Sequence, residues 1–175
     1  MTALHTLNPF SKQRGFTIVE LLIVIVVIGI LAAIVIVAYN GVQQRARNAQ
    51  VVSGANAYYK AILQYATLNG SYPATTGCLG ANYPSNQCWQ GDSGTFTTDA
   101  TLDAALATVL TNKPTLATSL FSIGITNNIR AGLLYDSSTK KLIYYLQGPG
   151  QPCNITGAGN YTEGGVVTQC AVTLP

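Results

Sequence analysis

From Phe16 to Tyr39 the chain is apolar at nearly every position: Phe16-Thr-Ile-Val-Glu20-Leu-Leu-Ile-Val-Ile-Val-Val-Ile-Gly29-Ile-Leu-Ala-Ala-Ile-Val-Ile-Val-Ala-Tyr39, with Glu20 as its one charge. A helix of that length, at 1.5 Å per residue, spans a bilayer core of about 30 Å. Lys12 and Arg14 precede the run and put its start on the cytoplasmic side by the positive-inside rule. Beyond Tyr39 the pattern becomes amphipathic. Val42, Ala46, Ala49, Val52, Ala55, Tyr59, Ile62 and Ala66 recur at steps of three or four, leaving Gln43, Gln44, Arg45, Arg47, Asn48, Asn56 and Lys60 on other faces. The two patterns together predict one unbroken helix from Phe16 to about Leu68, on the order of 80 Å long, ending at Asn69-Gly70 with Pro73 beyond.

The remaining residues, 71 to 175, must build a head. Thr97 to Leu110 reads as a short helix capped near Thr98 or Asp99 and ended before Pro114. Asp99 and Asp103 are explained there as acidic residues complementing the dipole of a first turn, rather than as a catalytic carboxylate pair. Strands are predicted at Ala131 to Tyr135 and Lys141 to Gln147, joined by the loop Asp136-Ser-Ser-Thr-Lys140, and near Val166 to Leu174. A small antiparallel sheet of these strands, covered by the apolar stripe of the long helix, gives an α+β head in two layers.

Glu20 is the anomaly of the apolar run. An acidic side chain at the centre of a membrane helix costs roughly 2.5 to 3.5 kcal/mol, while each Leu, Ile or Val returns about 0.3 to 0.6, so the segment inserts regardless. The run is too long for a cleaved secretory signal, whose apolar core is about 7 to 15 residues. A plain anchor leaves the carboxylate unexplained, and intramembrane ionisable residues are functional candidates with a partner to be named.

Charge and composition narrow the function classes. Charged residues make up 9% of the 175-residue chain, far below the roughly 25% of an average soluble protein. Thr, Asn, Gln, Ser and Gly supply the polarity, a composition that suits surfaces packed beside copies of themselves. The one histidine, His5, lies before any folded element. Ser-His-Asp or Cys-His catalysis and His-ligated zinc therefore lack their central residue, and no enzyme and no cofactor is expected.

Cys78, Cys88, Cys153 and Cys170 all fall in the head. Their spacings, C-x9-C and C-x16-C, are not those of zinc sites, and an exported domain meets an oxidising space, so disulfides are expected and no metal. Three pairings are open. The local pairing, Cys78 with Cys88 and Cys153 with Cys170, is favoured because near pairs form first and each closes a loop rich in Gly, Asn and Pro. Asn69, Asn154 and Asn160 begin N-x-S/T triplets, read here as chance matches in an Asn- and Thr-rich chain. Arg45 with Arg47 and Lys140 with Lys141 read as solvated faces. The ten tyrosines, among them Tyr58, Tyr59, Tyr144 and Tyr145, read as core or subunit packing.

The stretch from Lys12 through Gly15-Phe16 and Glu20 to Gly29, continued by Ala38-Tyr39-Asn40, resembles the class III signal of type IV pilins and pseudopilins. The likeness is close from Arg14 to Tyr39 and weak beyond. It implies a leader of residues 1–15, a membrane or filament-core helix of residues 16–39, and a head of residues 40–175 that includes the amphipathic half of the helix. It further implies cleavage between Gly15 and Phe16 by a prepilin peptidase, methylation of the new Phe16 amine, and pairing of that amine with Glu20 of another copy to fix the register of assembly. Many members carry a proline where this chain has Val37, so Gly29 is the expected soft point of the helix. The loop from Cys153 to Cys170 resembles the carboxyl-terminal disulfide loop of pilins.

The resemblance implies a precursor in the cytoplasmic membrane, handled by a pilus assembly machinery, that self-associates into a helical extracellular filament for adhesion, surface motility or DNA uptake. Removing the leader leaves seven basic against six acidic residues, a net of +1, so contact with DNA or a host surface would need many subunits acting together. The alternatives are a minor pilin and a pseudopilin of a type II secretion system. The major pseudopilins usually bear an acidic calcium-binding loop near the carboxyl terminus and often lack disulfides, whereas the last sixty residues here hold only Asp136 and Glu163. A single-pass anchored receptor explains the apolar helix but neither Glu20 nor Gly15-Phe16.

Overall fold

The computed structural model describes residues 15–91, 94–116, 118, 121–123 and 128–175. His5, Lys12 and Arg14 lie outside the described residues, as does the side chain of Val37. The long helix is present as α1 (Ile18–Asn69). Contacts divide the chain into two units, one ending at Gly41 and the other Val42–Pro175, and the head belongs to the second.

Two antiparallel sheets form the head. The first comprises β1 (Gly77–Leu79), β6 (Leu133–Asp136), β7 (Lys141–Gln147), β9 (Val167–Thr173) and β8 (Gly159–Glu163), in that spatial order. The second comprises β3 (Gly94–Thr97), β2 (Gln87–Gly91), β5 (Ile129–Arg130) and β4 (Phe121–Ser122). A short helix, α2 (Ala100–Ala107), completes the α+β fold, with the Asp99 carboxylate accepting from the Leu102 N–H at 2.8 Å as its cap. Asp103 pairs with Lys113 at 2.8 Å, so the two aspartates serve different partners.

The core lies where α1 covers the five-stranded sheet. Val51, Ala55, Tyr58 and Ile62 pack with Leu79, Leu133, Tyr135, Leu142, Tyr144, Leu146 and Val172, while Leu102 and Leu106 of α2 close one side. The buried face of α1 is therefore rotated from the predicted stripe. Val42, Ala46 and Ala49 are exposed, Val52, Tyr59 and Ala66 half-buried, and the large residues Val51 and Tyr58 take the sheet-facing positions. The small alanines made the periodicity ambiguous, and the bulkier side chains win the core because they bury more apolar area.

The predicted strand at Ala131–Tyr135 is present from Leu133 onward as β6, while Ala131 and Gly132 form a crossover between the sheets. Gly132, at φ 48°, turns the chain from β5 of one sheet into β6 of the other. A Cβ at that glycine would sit 2.2 Å from the Tyr83 hydroxyl. That hydroxyl donates to the Leu79 carbonyl at 2.7 Å and accepts from the Leu133 N–H at 3.0 Å, replacing a ladder bond where the turn interrupts pairing. The predicted hairpin is present, with Asp136 accepting from the Ser138 N–H at 2.9 Å and the Thr139 hydroxyl at 2.6 Å. Burial would raise the Asp136 pKa, but these hydrogen bonds outweigh it and hold the carboxyl below its ordinary range.

Candidate functional site

Once a helix is apolar on every side, no face of it is satisfied by water. Among the described large apolar residues of the segment from Phe16 to Tyr39, exposure in the isolated chain runs from 47% to 78%. Burying each Leu, Ile or Val contributes about 1.5 to 3 kcal/mol relative to leaving it in water, and soluble monomers rarely expose apolar patches beyond a few hundred Å². This helix is long and apolar enough to cross a membrane. It requires either lipid or other apolar helices around it.

The start of the segment is built for access. Phe16 is exposed, and a Cβ placed on Gly15 would meet nothing within 4 Å. Glu20 reaches back to the entry of the helix: its Oε2 accepts from the Thr17 N–H at 2.8 Å and from the Thr17 hydroxyl at 2.8 Å, while the Glu20 N–H donates to Thr17 Oγ1 at 3.2 Å. This is a capping box, which satisfies donors that a helix beginning in lipid cannot leave bare. Both bonds from Thr17 fall on Oε2, and among the described residues Oε1 carries none, so one oxygen of the carboxylate closes its own helix. Sequence reasoning treated Glu20 only as a counter-charge. The Thr17-x-x-Glu20 spacing ahead of an apolar run was the signal for the cap. Gly29 is helical here, and α1 passes through it without interruption.

In the head, both disulfides join the local partners: Cys78 with Cys88, Cα atoms 5.7 Å apart, and Cys153 with Cys170, 5.6 Å apart. The first brings β1 against β2 and so ties one sheet to the other. The second anchors the loop leading into β8 onto β9, beneath which the Tyr144 hydroxyl donates to the Cys153 carbonyl at 2.6 Å. Burial pushes the Tyr144 and Tyr145 phenols well above their ordinary pKa and that of Tyr58 up to about 12. These are core groups, as expected for Tyr58, Tyr144 and Tyr145. Asn69, Asn154 and Asn160 are exposed.

A charged junction went unread in the sequence. Arg130 on β5 is 9% exposed; its Nε meets Glu163 Oε2 at 2.7 Å, its Nη1 donates to the carbonyls of Gln90 at 2.6 Å and Ile129 at 3.0 Å, and its guanidinium stacks on Trp89 at 4.6 Å. Strand register aligns Phe96, Trp89, Arg130 and Phe121 in one row across the four-stranded sheet. Glu163 comes from β8 of the other sheet. Among the described residues no group of three or more His, Cys, Asp or Glu is placed to hold a metal ion.

A second polar junction joins α1 to the end of β7. The Asn48 carboxamide donates to the Gln147 carbonyl at 3.0 Å and accepts from the Gln147 N–H at 2.8 Å, and Gln44 donates to the same carbonyl at 2.7 Å.

Comparison with known proteins agrees with the N-terminal features. The prokaryotic N-terminal methylation motif matches residues 10–36. The chain is 41% identical over 65 residues to the type II secretion system core protein G of Escherichia coli K12, covering 37% of this chain and 45% of that protein. It is 34% identical over 74 residues to a type IV major pilin protein of Neisseria gonorrhoeae, covering 42% and 45% respectively. To a fimbrial protein of Neisseria meningitidis serogroup A it is 35% identical over 70 residues, covering 40% and 41%. The chain thus spans less than half the length of these relatives. No solved structure matches it.

Proposed function

We propose that the chain is a member of the type IV pilin and pseudopilin superfamily, a reading its methylation motif and its relatives support, and that it is a structural subunit of an extracellular type IV pilus, not an enzyme. The observation that carries the reading is an apolar helix whose described side chains are exposed, preceded by Gly15-Phe16 and capped by a glutamate that uses one carboxylate oxygen for the cap. A prepilin peptidase cuts between Gly15 and Phe16 and methylates the Phe16 amine. The helix holds the precursor in the cytoplasmic membrane until the assembly machinery withdraws it. In the filament, Oε1 of Glu20 faces the Phe16 amine of a neighbouring copy, since a carboxylate removed from water and lipid needs a counter-charge. Gly29 is the point at which the helix yields.

Two disulfide-closed loops and the sparse acids of the last sixty residues favour a pilus subunit over the calcium-bearing type of pseudopilin. The second reading, a pseudopilin of a type II secretion system, draws on the identity to core protein G. Expression in a filament-forming host lacking its own pilin separates the two. Surface-sheared filaments whose subunit begins at a methylated Phe16, and whose number collapses in Glu20→Ala while membrane insertion persists, support the pilus reading. Sheared material beginning at Met1, or normal filament numbers in Glu20→Ala, refutes the processing or the pairing respectively; restored protein secretion without long filaments favours the pseudopilin.

A further inference from the structure

Arg45 and Arg47 stand six and eight residues beyond Tyr39, where the apolar run ends, and both are exposed. Lys12 and Arg14 precede the run, and no acidic residue stands between Glu20 and Asp92. Cations on the far side of a span oppose the bias that orients it, so the second pair carries a cost that a ligand would offset. Neither arginine has a carboxylate within ion-pair distance among the described residues. Two residues apart on a helix of 3.6 residues per turn, they leave α1 on nearly opposite sides. Arg45 also lines a groove of about 380 Å³ between α1 and the Gln151–Asn154 loop held by the second disulfide, together with Asn48, Val52 and Leu146. No acidic residue is among the described residues lining it.

Resting on the membrane-held precursor of the reading above, we propose that Arg45 and Arg47 bind the phosphates of phospholipids in the leaflet on the head's side of the membrane, and that the groove at Arg45 selects an anionic lipid with a neutral polyol headgroup. This holds whether the precursor later builds a pilus or a secretion pseudopilus. Reach comes first. Six residues of helix rise about 9 Å, and the headgroup layer on each side of the hydrocarbon core is about 5 to 8 Å deep. Helical side chains lean toward the helix N-terminus, which here is back toward the bilayer, and the long arginine stem covers the remaining distance. Tyr39, at the end of the run, is of the residue type that settles at that interface.

Chemistry then selects the ligand. A guanidinium without a carboxylate partner meets a phosphate through paired, charge-assisted hydrogen bonds. A headgroup amine beside that phosphate would enter the groove with no carboxylate to meet it. A polyol instead finds the carboxamides of Gln151 and Asn154 and the apolar side chains of Val52 and Leu146. Cations on opposite sides of the helix hold two lipids at once, which fixes the depth of α1 and resists its tilting to either side. Two arginines on one face would pin one side only.

The test uses the full-length chain reconstituted in phosphatidylcholine vesicles doped with spin-labelled phospholipids, whose partition onto the protein is read by electron spin resonance. One cation near a membrane surface is worth about fivefold in binding, so phosphatidylglycerol is expected to be preferred over phosphatidylcholine by about tenfold or more. Arg45→Gln and Arg47→Gln should each lower that preference about fivefold, and Arg45→Lys should keep most of it; Lys12 and Arg14 are common to all these chains and cancel. Phosphatidylserine has the same net charge with an amine and a carboxylate in its headgroup. It should bind about fivefold less than phosphatidylglycerol, as for one net hydrogen bond, and Ala49→Trp, which fills the groove from an exposed position, should erase that difference. A preference that survives in the Arg45→Gln/Arg47→Gln double variant, or none in wild type, overturns lipid binding by the pair. Equal uptake of phosphatidylglycerol and phosphatidylserine overturns the headgroup selection. Inorganic phosphate that strips the preference where chloride of equal ionic strength does not overturns the lipid as the source of the phosphate. A chain that alkaline extraction washes off the vesicles overturns the membrane reading as well, whereas an inserted chain without lipid preference overturns this proposal alone.

Discussion

Glu163→Gln keeps the shape of the side chain and removes one charge from the pair that bridges the two sheets. The partner left behind is the guanidinium of Arg130, which is 9% exposed, with side-chain exposures of 11% for Arg130 and 17% for Glu163. Breaking a buried pair by deleting one member costs about 3 to 5 kcal/mol. The carbonyls of Gln90 and Ile129 and the face of Trp89 still hold the cation, so the low end, about 3 kcal/mol, applies. With a urea dependence of about 1 to 3 kcal/mol per molar, that is a fall of about 1 to 3 M in the unfolding midpoint. Trp89 is the chain's one tryptophan and lies directly under Arg130, so its fluorescence in detergent-solubilised protein follows this junction. Arg130→Met should cost less, because the Glu163 carboxylate sits near the turn that closes edge strand β8 and can reach water. Combining Arg130→Met with Glu163→Gln should recover about 1 to 3 kcal/mol relative to the sum of the single changes. A midpoint for Glu163→Gln that matches wild type, or strict additivity in the cycle, would refute the idea that this pair couples the sheets.

Thr17→Val removes the capping box and should cost about 1 kcal/mol in the first turn of α1, seen as faster amide exchange at Ile18 to Leu21 in micelles with membrane insertion intact. Cys170→Ser should leave α1 untouched but open residues 154 to 163 to protease, because that loop has few apolar contacts to replace a cross-link typically worth about 2 to 4 kcal/mol; limited proteolysis with peptide mapping reads it. On the alkaline side, the raised phenol of Tyr135, pushed up to about 12 chiefly by burial and further by Tyr72 and Asp136, means that the unfolded chain ionises first. Stability that is full below pH 10 should therefore fall as pH rises from about 10 towards 12, and Tyr135→Phe should flatten that part of the urea-midpoint profile.

The features legible in the sequence are those carried by long periodicity or by local chemistry. The run from Phe16 to Tyr39 and the strand Lys141–Gln147 rest on patterns that survive any tertiary context, and Asp99 and Asp136 reveal a cap and a turn through bonds within three residues of themselves. β3 and β8 escaped because they are edge strands made of Gly, Thr, Asn, single aromatics and Glu163, almost wholly exposed and with no buried face to impose alternation. Gly132 escaped for another reason: its turn is set by a tyrosine hydroxyl 49 residues earlier in the chain, a contact that no local window contains. The Arg130 junction is likewise non-local, three segments converging on one guanidinium. The Cys153–Cys170 pairing followed from sequence separation and loop composition, whereas the buried face of α1 depends on which side chains meet the sheet, and the alanines of the stripe left that open.

The bonds from Asn48 and Gln44 to Gln147 have a mechanical meaning. Under a sustained pull along α1, a head attached only by oily packing would creep along the helix. Here the carboxamide of Asn48 grips both backbone groups of Gln147, and Gln44 grips the carbonyl again. Gln147 ends β7, which is laced to β6 on one side and β9 on the other. A pull along α1 therefore loads three hydrogen bonds in shear at once and passes through a central strand into the whole five-stranded sheet, so that the head moves as freight clamped to the helix rather than as cargo sliding on it.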